Sequence, residues 1–400
     1  MVKKHFGRIM KSRNEIPEVY TEEPEQEGQR RVILKRAGQQ GVVGVAHKTP
    51  SATHEDAPAF MVLSSILSSG KNSRFYKKIT DKGLTTSVFI WDSLFRDPGL
   101  FAVYANLTPG TDHKKVEEII MGEYETIKQN GVTEEEVEKA KAQLIANMKF
   151  RQDGSYMVAG SLNEAIASGD WTLYTTYEEK ISAVTAQNIQ SVVERYFLED
   201  LSTVGHFVPK SSGAQAARRG PSSATELGEM KKKYFSTEED TEDTEDGLLL
   251  SQIEDSEPVK GIRLLTLKRG SGVVTFSGSF LGGDIYAPTT NPRVPDVVVS
   301  MLDQGTTKSS KFEISSKLES VGARLNFSNG KARVGFGGKF LSEDMGLVVG
   351  LLAEQLKLPA FDSEELTKTK SRLITGYKKS KESTRGNALN KMLKNFYPPG

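Results

Sequence analysis

The side chains best suited to metal or acid–base chemistry in this sequence are five histidines: His5, His47, His54, His113 and His206. None has a second histidine three or four residues away, so no helical turn presents two imidazoles on one face, the usual start of a zinc site. Each is expected to be a hydrogen-bonded or exposed structural residue. Cysteine is absent, which removes disulfides, thiolate zinc sites and cysteine nucleophiles together and is neutral between a cytoplasm and a periplasm. Ser64, Ser65, Ser68 and Ser69 cluster without a G-x-S-x-G elbow, and capping or small-residue packing accounts for them. The glycine-rich "GSGVVTFSGSFLGG" lacks both G-x-G-x-x-G spacing and a P-loop lysine, so no phosphate cradle is expected. "HED" at 54 to 56 fits acidic residues favouring a helix N-terminus.

The elements that hold these residues follow from periodicity. "RRVILKRAGQQGVVGVAHKTP" predicts strands over Arg31 to Arg36 and Gly41 to Lys48, joined at a Gly/Gln turn. "HEDAPAFMVLSSILSSG" changes to helical period, with Phe60, Leu63 and Leu67 on one face and a stop at Gly70. "NSRFYKKITDKG" reads as a shorter helix, and "LTTSVFIWDS" and "GLFAVYANLTP" as strands. A helix over His113 to Asn130 precedes a longer one opened by Thr133 and Glu136, a capping box. Val137, Ala140, Leu144, Ile145 and Met148 form its apolar stripe. Further helix and a strand at "LSTVGHFVP" complete the unit.

The chain has 400 residues, too many for one ordinary core, and 37% of them are hydrophobic, enough to bury two. Fifty-three basic against 52 acidic residues leave a net charge of +1, so no global field favours nucleic acid or an anionic membrane. No apolar run approaches the ~20 residues of a membrane span. Three segments are expected: a unit over 1–208, an acidic and polar linker over 209–258 containing "STEEDTEDTED", and a second unit over 259–400. The second repeats the first. "VTEEEVEKAKAQLIANMK" aligns with "FDSEELTKTKSRLITGYK" at one offset, pairing Val137 with Leu366 and Leu144 with Leu373, and Gly70 pairs with Gly305. So long an offset indicates duplication of a whole αβ unit. "NFSNGKARVGF" predicts a hairpin with Asn329-Gly330 in a type I′ turn.

At these residues the chain resembles the M16 metallopeptidases, the pitrilysin and insulinase family. "FGRIM", "GKNSRFYKKITDKGL" and the Thr133 helix resemble that family's non-catalytic second unit. "GTTKSSKFEISSKLESVGARLNFS" and "LPAFDSEELTKTKSRLITGYKKSKE" resemble the first unit of its C-terminal half. The resemblance implies an α+β fold of duplicated units, each a mostly antiparallel sheet packed with helices. It also implies an H-x-x-E-H zinc motif just before a "GT" turn, completed by a distant glutamate. Placing that turn on Gly305-Thr306 carries the histidines to Asp296 and Ser300, the general base to Val299 and the third ligand to Tyr377. The first copy gives Met61, Ser64 and Ser65. Neither set can hold and use zinc.

No catalytic, cofactor-binding or metal-binding residue is therefore assigned to this chain, which is expected to be inactive alone and to hold no zinc, although the complete family enzyme uses it. The resemblance places a catalytic unit before residue 1 and a fourth unit after "NKMLKNFYPPG". The expected role is to supply non-catalytic chamber and substrate-binding walls to a zinc peptidase. The alternative is a self-standing subunit that scaffolds a separate zinc-bearing partner. Expected partners are the catalytic unit and a peptide substrate, with no nucleic acid and no membrane. The bacterial periplasm is favoured over the cytoplasm.

Overall fold

The computed structural model describes residues 2–10, 24–38, 40–152, 154–210, 253–268, 270, 272–380, 386–389 and 391–392. The acidic stretch "STEEDTEDTED" and the rest of 211–252 lie outside the described residues. The linker expected over 209–258 is shorter at both ends, because Pro209 and Lys210 close one strand and Ile253 to Pro258 begin another.

In the first unit, α1 (Val2–Phe6) precedes strands β1 (Arg30–Ala37) and β2 (Val42–Lys48), then α2 (Ala57–Ser68), β3 (Thr85–Asp92), β4 (Leu100–Leu107), α3 (His113–Asn130), α4 (Glu134–Arg151), α5 (Ser155–Ala167), α6 (Leu173–Ser182), α7 (Ala186–Tyr196) and β5 (Ser202–Lys210). The segment expected as a short second helix contains a π-helical turn over Tyr76–Thr80. The sheet runs β1-β5-β2-β4-β3, antiparallel except where β1 lies parallel to β5. β1 and β2 are consecutive in sequence yet do not pair, because the last strand of the unit enters between them. That insertion ties the unit's two ends together and is non-local, so no local signal announces it.

Alternation along β2 points Val43, Val45 and His47 inward, where they meet the apolar stripes of α2, α3 and α4. Phe60, Leu63 and Leu67, the expected face of α2, are fully buried. On α4, Val137 and Ala140 are buried, and Leu144, Ile145 and Met148 pack against the same core. Thr133 accepts from the Glu136 amide at 3.2 Å and Glu136 accepts from the Thr133 amide at 2.9 Å, the reciprocal cap anticipated from the sequence.

The second unit has a two-stranded ribbon, β6 (Ile253–Val259) and β7 (Ile262–Leu267), and a sheet ordered β8-β10-β9 from β8 (Val273–Leu281), β9 (Arg324–Asn329) and β10 (Arg333–Leu341). Its helices are α8 (Val294–Met301), α9 (Lys311–Glu319), α10 (Met345–Lys357) and α11 (Ser363–Ser380). The duplication is visible in α4 and α11: both have 18 residues, and start and end are each displaced by 229 positions, from Glu134 to Ser363 and from Arg151 to Ser380.

The hairpin of β9 and β10 forms, but without the type I′ turn. Asn329 pairs with Val334 in the ladder and the Gly330 amide donates to the Arg333 carbonyl, which puts Lys331 and Ala332 at the tip. Neither Asn329 nor Gly330 has positive φ, as a type I′ turn would need at both central positions. Asn329 is used otherwise: its Nδ2 donates to Asp284 and Asp296, at 2.8 Å each.

Candidate functional site

α8 carries the frame of the zinc motif, and it packs on α11, where the third ligand position lies. Pro295 sits in the first turn of α8, a position that tolerates its missing amide hydrogen. The turn after α8 is held firmly: the Thr306 amide donates to the Ser309 carbonyl at 2.8 Å, and the Thr306 hydroxyl donates to Glu354 of α10 at 2.5 Å.

Asp296 accepts from Arg293 at 3.1 Å as well as from Asn329. The Arg293 guanidinium lies 5.2 Å from the Tyr377 ring centroid. Asp296 and Tyr377, on different helices, are thus joined through a cation. Val299 is buried in the core, and Ser300 is half-buried. A carboxylate already engaged by arginine and asparagine, a hydroxyl, a valine and a phenol do not fit the nitrogen-rich, negatively completed donor set that zinc takes in this geometry. In the first copy, Met61 packs against the core, Ser65 is buried, and Ser64 accepts from the Ser68 hydroxyl through its carbonyl.

A second constellation lies on the seam between the units. Lys71, just after Gly70, donates to the Asp303 carbonyl at 2.5 Å and sits 3.0 Å from its carboxylate. Asn72 Nδ2 donates to the Phe312 carbonyl at 3.0 Å. Lys311 pairs with Asp81 across the seam and with Glu365 of α11 at 2.7 Å, while its ammonium lies over the Phe312 ring, which in turn stands edge-on to Tyr76. Of these, Tyr76, Asp81, Lys311 and Glu365 border, with Lys368 and Arg372, a small cavity of about 30 Å³. Burial pulls Lys71 below the usual lysine range against the opposing effect of Asp303. Burial acts the same way on Lys311, but hydrogen bonds to Asp81 and Glu365 outweigh it and raise the ammonium. Burial raises the Tyr76 phenol. The arrangement holds charges in place and presents no nucleophile beside a base; chemically it is a clamp.

Two glycines make the seam possible. Gly70 has φ +78°, and a side chain there would run into the Glu319 carboxylate; Gly322 has φ +64°, and a side chain there would strike Ala146 of α4. Gly70 was legible as a helix stop, whereas its role as the docking point of α9 was not.

The histidines fall where structural residues fall. His47 is buried among Tyr124 and Phe197. His54 accepts from the Asp56 amide. Asp56 stands at the start of α2 as expected, although its side chain makes no cap and instead receives Arg195 and the Tyr196 hydroxyl at 2.7 and 2.8 Å. His113 and His206 approach to 5.4 Å between ring centroids. His206 bonds Glu117 at 2.7 Å, and Arg31 pairs with the same carboxylate at 2.8 Å. His113 Nε2 is taken by the Phe207 carbonyl at 2.8 Å, so the group is a hydrogen-bonded strap across β1, β5 and α3. Histidine spacing alone could not reveal it; the His113 and Glu117 pair, four apart on one helix, was the available signal. Among the described residues no group of three or more His, Asp or Glu is placed to hold a metal ion, and no described helix is long and apolar enough to cross a membrane.

The architecture defines a chain of peptidase-type α+β units, and comparison with known proteins names the family. Residues 1–144 match the model of the peptidase M16 inactive domain, and residues 280–397 match that of insulinase, peptidase family M16. The chain belongs to the M16 peptidase family. It is similar to the zinc protease PqqE of Helicobacter pylori, with 26% identity over 210 residues, covering 52% of this chain and 47% of the relative. An uncharacterized zinc protease of Streptomyces coelicolor is 33% identical over 162 residues, covering 40% of this chain and 35% of its own. The crystal structure of a protease from Helicobacter pylori superposes with a TM-score of 0.50 at 25% identity, covering 52% of this chain and 51% of that one. The chain spans less than half the length of these curated relatives.

Proposed function

We propose that this chain supplies non-catalytic walls to an M16-type zinc peptidase, enclosing and orienting an extended peptide while another unit, in the same polypeptide or a separate subunit, activates water. The observation that carries this reading is the preserved pair of α8 and α11 with Arg293 set between Asp296 and Tyr377, where the family's catalytic units keep zinc donors. The inactive-domain match over 1–144 supports it. Enclosure needs two units held in a fixed relation, which the Lys311 seam supplies, and orientation of a bound peptide is a contribution separable from the chemical step. A periplasmic site of action belongs to the same proposal.

The test is reconstitution. The whole chain is mixed with or fused to a zinc-bearing M16 unit of its own genome, and cleavage of an unstructured peptide is followed with and without chelator. Chelator-sensitive cleavage should appear only with both parts present. Cleavage by residues 1–400 alone would overturn the reading.

A further inference from the structure

We infer that the open edge of β8 pairs with β8 of a second copy of this chain, antiparallel and about a two-fold axis at Ser277. The second unit's sheet, β8-β10-β9, repeats the order and antiparallel sense of β2-β4-β3 in the first. There β5 lies along the far side of β2. Among the described residues no strand lies along the far side of β8.

The edge is a row of backbone groups. The Gly282 amide donates to the Ala332 carbonyl and the Ser342 amide to the Gly272 carbonyl, so the even-numbered residues of β8 turn their amides and carbonyls to β10. Those of Val273, Thr275, Ser277, Ser279 and Leu281 point outward. The Ser279 carbonyl also accepts from Arg333 at 3.3 Å, a long bond that leaves its second lone pair for a strand. Charges, prolines, bulges and short strands are how proteins keep an edge from pairing. No bulge interrupts the register of β8 with β10, and its nine residues include neither a proline nor a charge. The other outer strands of the two larger sheets are guarded: β1 carries four basic residues, β3 has a bulge between Thr85 and Ser87 and ends on Asp92, and the short β9 opens on Arg324.

The pattern of β8 selects its partner, because "VVTFSGSFL" reads much alike from both ends. Centred on Ser277, Thr275 meets Ser279, Phe276 meets Gly278, Val274 meets Phe280 and Val273 meets Leu281. Outward-facing residues then oppose outward-facing residues throughout, so each outward amide finds a carbonyl of the partner. Hydroxyl pairs and aromatic with β-branched pairs are favourable cross-strand neighbours, and Gly278 leaves room beside the Phe276 ring. Phe280 and Leu281, 42% and 69% exposed in the single chain, gain a neighbouring strand. The contact is isologous, so it closes at two copies, and it joins two three-stranded sheets into a continuous one.

The experiment follows the whole chain by sedimentation velocity across a dilution series, where it should pass from monomer to dimer and stop there. Ser277→Lys and Ser277→Glu each set like charges opposite one another at the axis, and either should weaken dimerisation at least about tenfold while circular dichroism and the thermal melt stay those of the parent. Mixed in equal amounts, the two variants should recover the dimer. Because the chain has no cysteine of its own, introduced thiols report the register: Thr275→Cys mixed with Ser279→Cys should be joined by a short bismaleimide faster than either variant alone. A chain that is monomeric at every concentration, a dimer that ignores both charged variants, a mixture that fails to recover, or a cysteine pair no faster than its single variants overturns the inference. A monomeric chain that takes up a synthetic peptide copying Ser202–Lys210 overturns it too, and gives the edge to a strand of the β5 kind.

Discussion

Lys311 of the second unit is ion-paired with Asp81 of the first, across 230 positions of sequence, with side chains only 5% and 12% exposed. Glu365 completes the pairing from α11. A lysine this deep is tolerable only while both carboxylates stay with it, so the relation of the two units is coupled to one buried charge.

Replacing it should separate them. Lys311→Met strands Asp81 and Glu365 beside each other and is expected to cost about 3 kcal/mol. Urea unfolding followed by tryptophan fluorescence and by circular dichroism should then give non-coincident transitions. The Asp81→Asn/Lys311→Met double variant should recover part of the loss, and a strictly additive pair would refute the coupling.

Gly322→Val should act on the same seam by another route. The side chain must strike Ala146, and a β-branched residue is strained at φ +64°. A loss of about 2–4 kcal/mol is expected, with limited proteolysis showing faster cutting of α9 than of α2. A parental proteolysis pattern would count against close docking.

Two buried groups give stability opposite pH slopes. Burial lowers His47 to about 4 from 6.5, so the unfolded chain takes up that proton first as pH falls, and His47 removes stability between pH 6.5 and 4. Burial raises Asp92 to about 7 from 3.8, so the folded chain keeps a proton the unfolded chain releases, and Asp92 removes stability as pH rises from 4 to 7. Each contribution is on the order of 3 kcal/mol. His47→Phe should flatten the acid limb, and Asp92→Asn should raise Tm at pH 8 more than at pH 5. Melting curves at four pH values decide it; an Asp92→Asn gain that is larger at pH 5 would show the sign to be wrong.

The α8 and α11 frame can be tested with metal. The parent chain should retain no stoichiometric zinc after dialysis. Asp296→His and Ser300→His together with Tyr377→Glu and Arg293→Ala install two imidazoles one helical turn apart and a carboxylate on the facing helix. One zinc per chain, measured by chelator competition, is the expected result. Failure of a correctly folded variant to bind would mean that the register of the frame is misplaced.

Much of this was legible locally. The Thr133 and Glu136 cap, the buried stripe of α2 and the repeat of α4 in α11 depend on neighbours within a turn or on a constant offset, and sequence alone determines these. The missing zinc donors at Asp296, Val299 and Ser300 are equally a matter of residue type. The turn at Asn329 was misread because two aspartates from elsewhere claim its side chain, and a tertiary bond outweighs a dipeptide preference. The entry of β5 between β1 and β2, the meeting of His113 with His206 and the burial of Lys311 against Asp81 were decided by tertiary structure. Each joins residues far apart in the chain, and their energies appear only once the loops between them have closed.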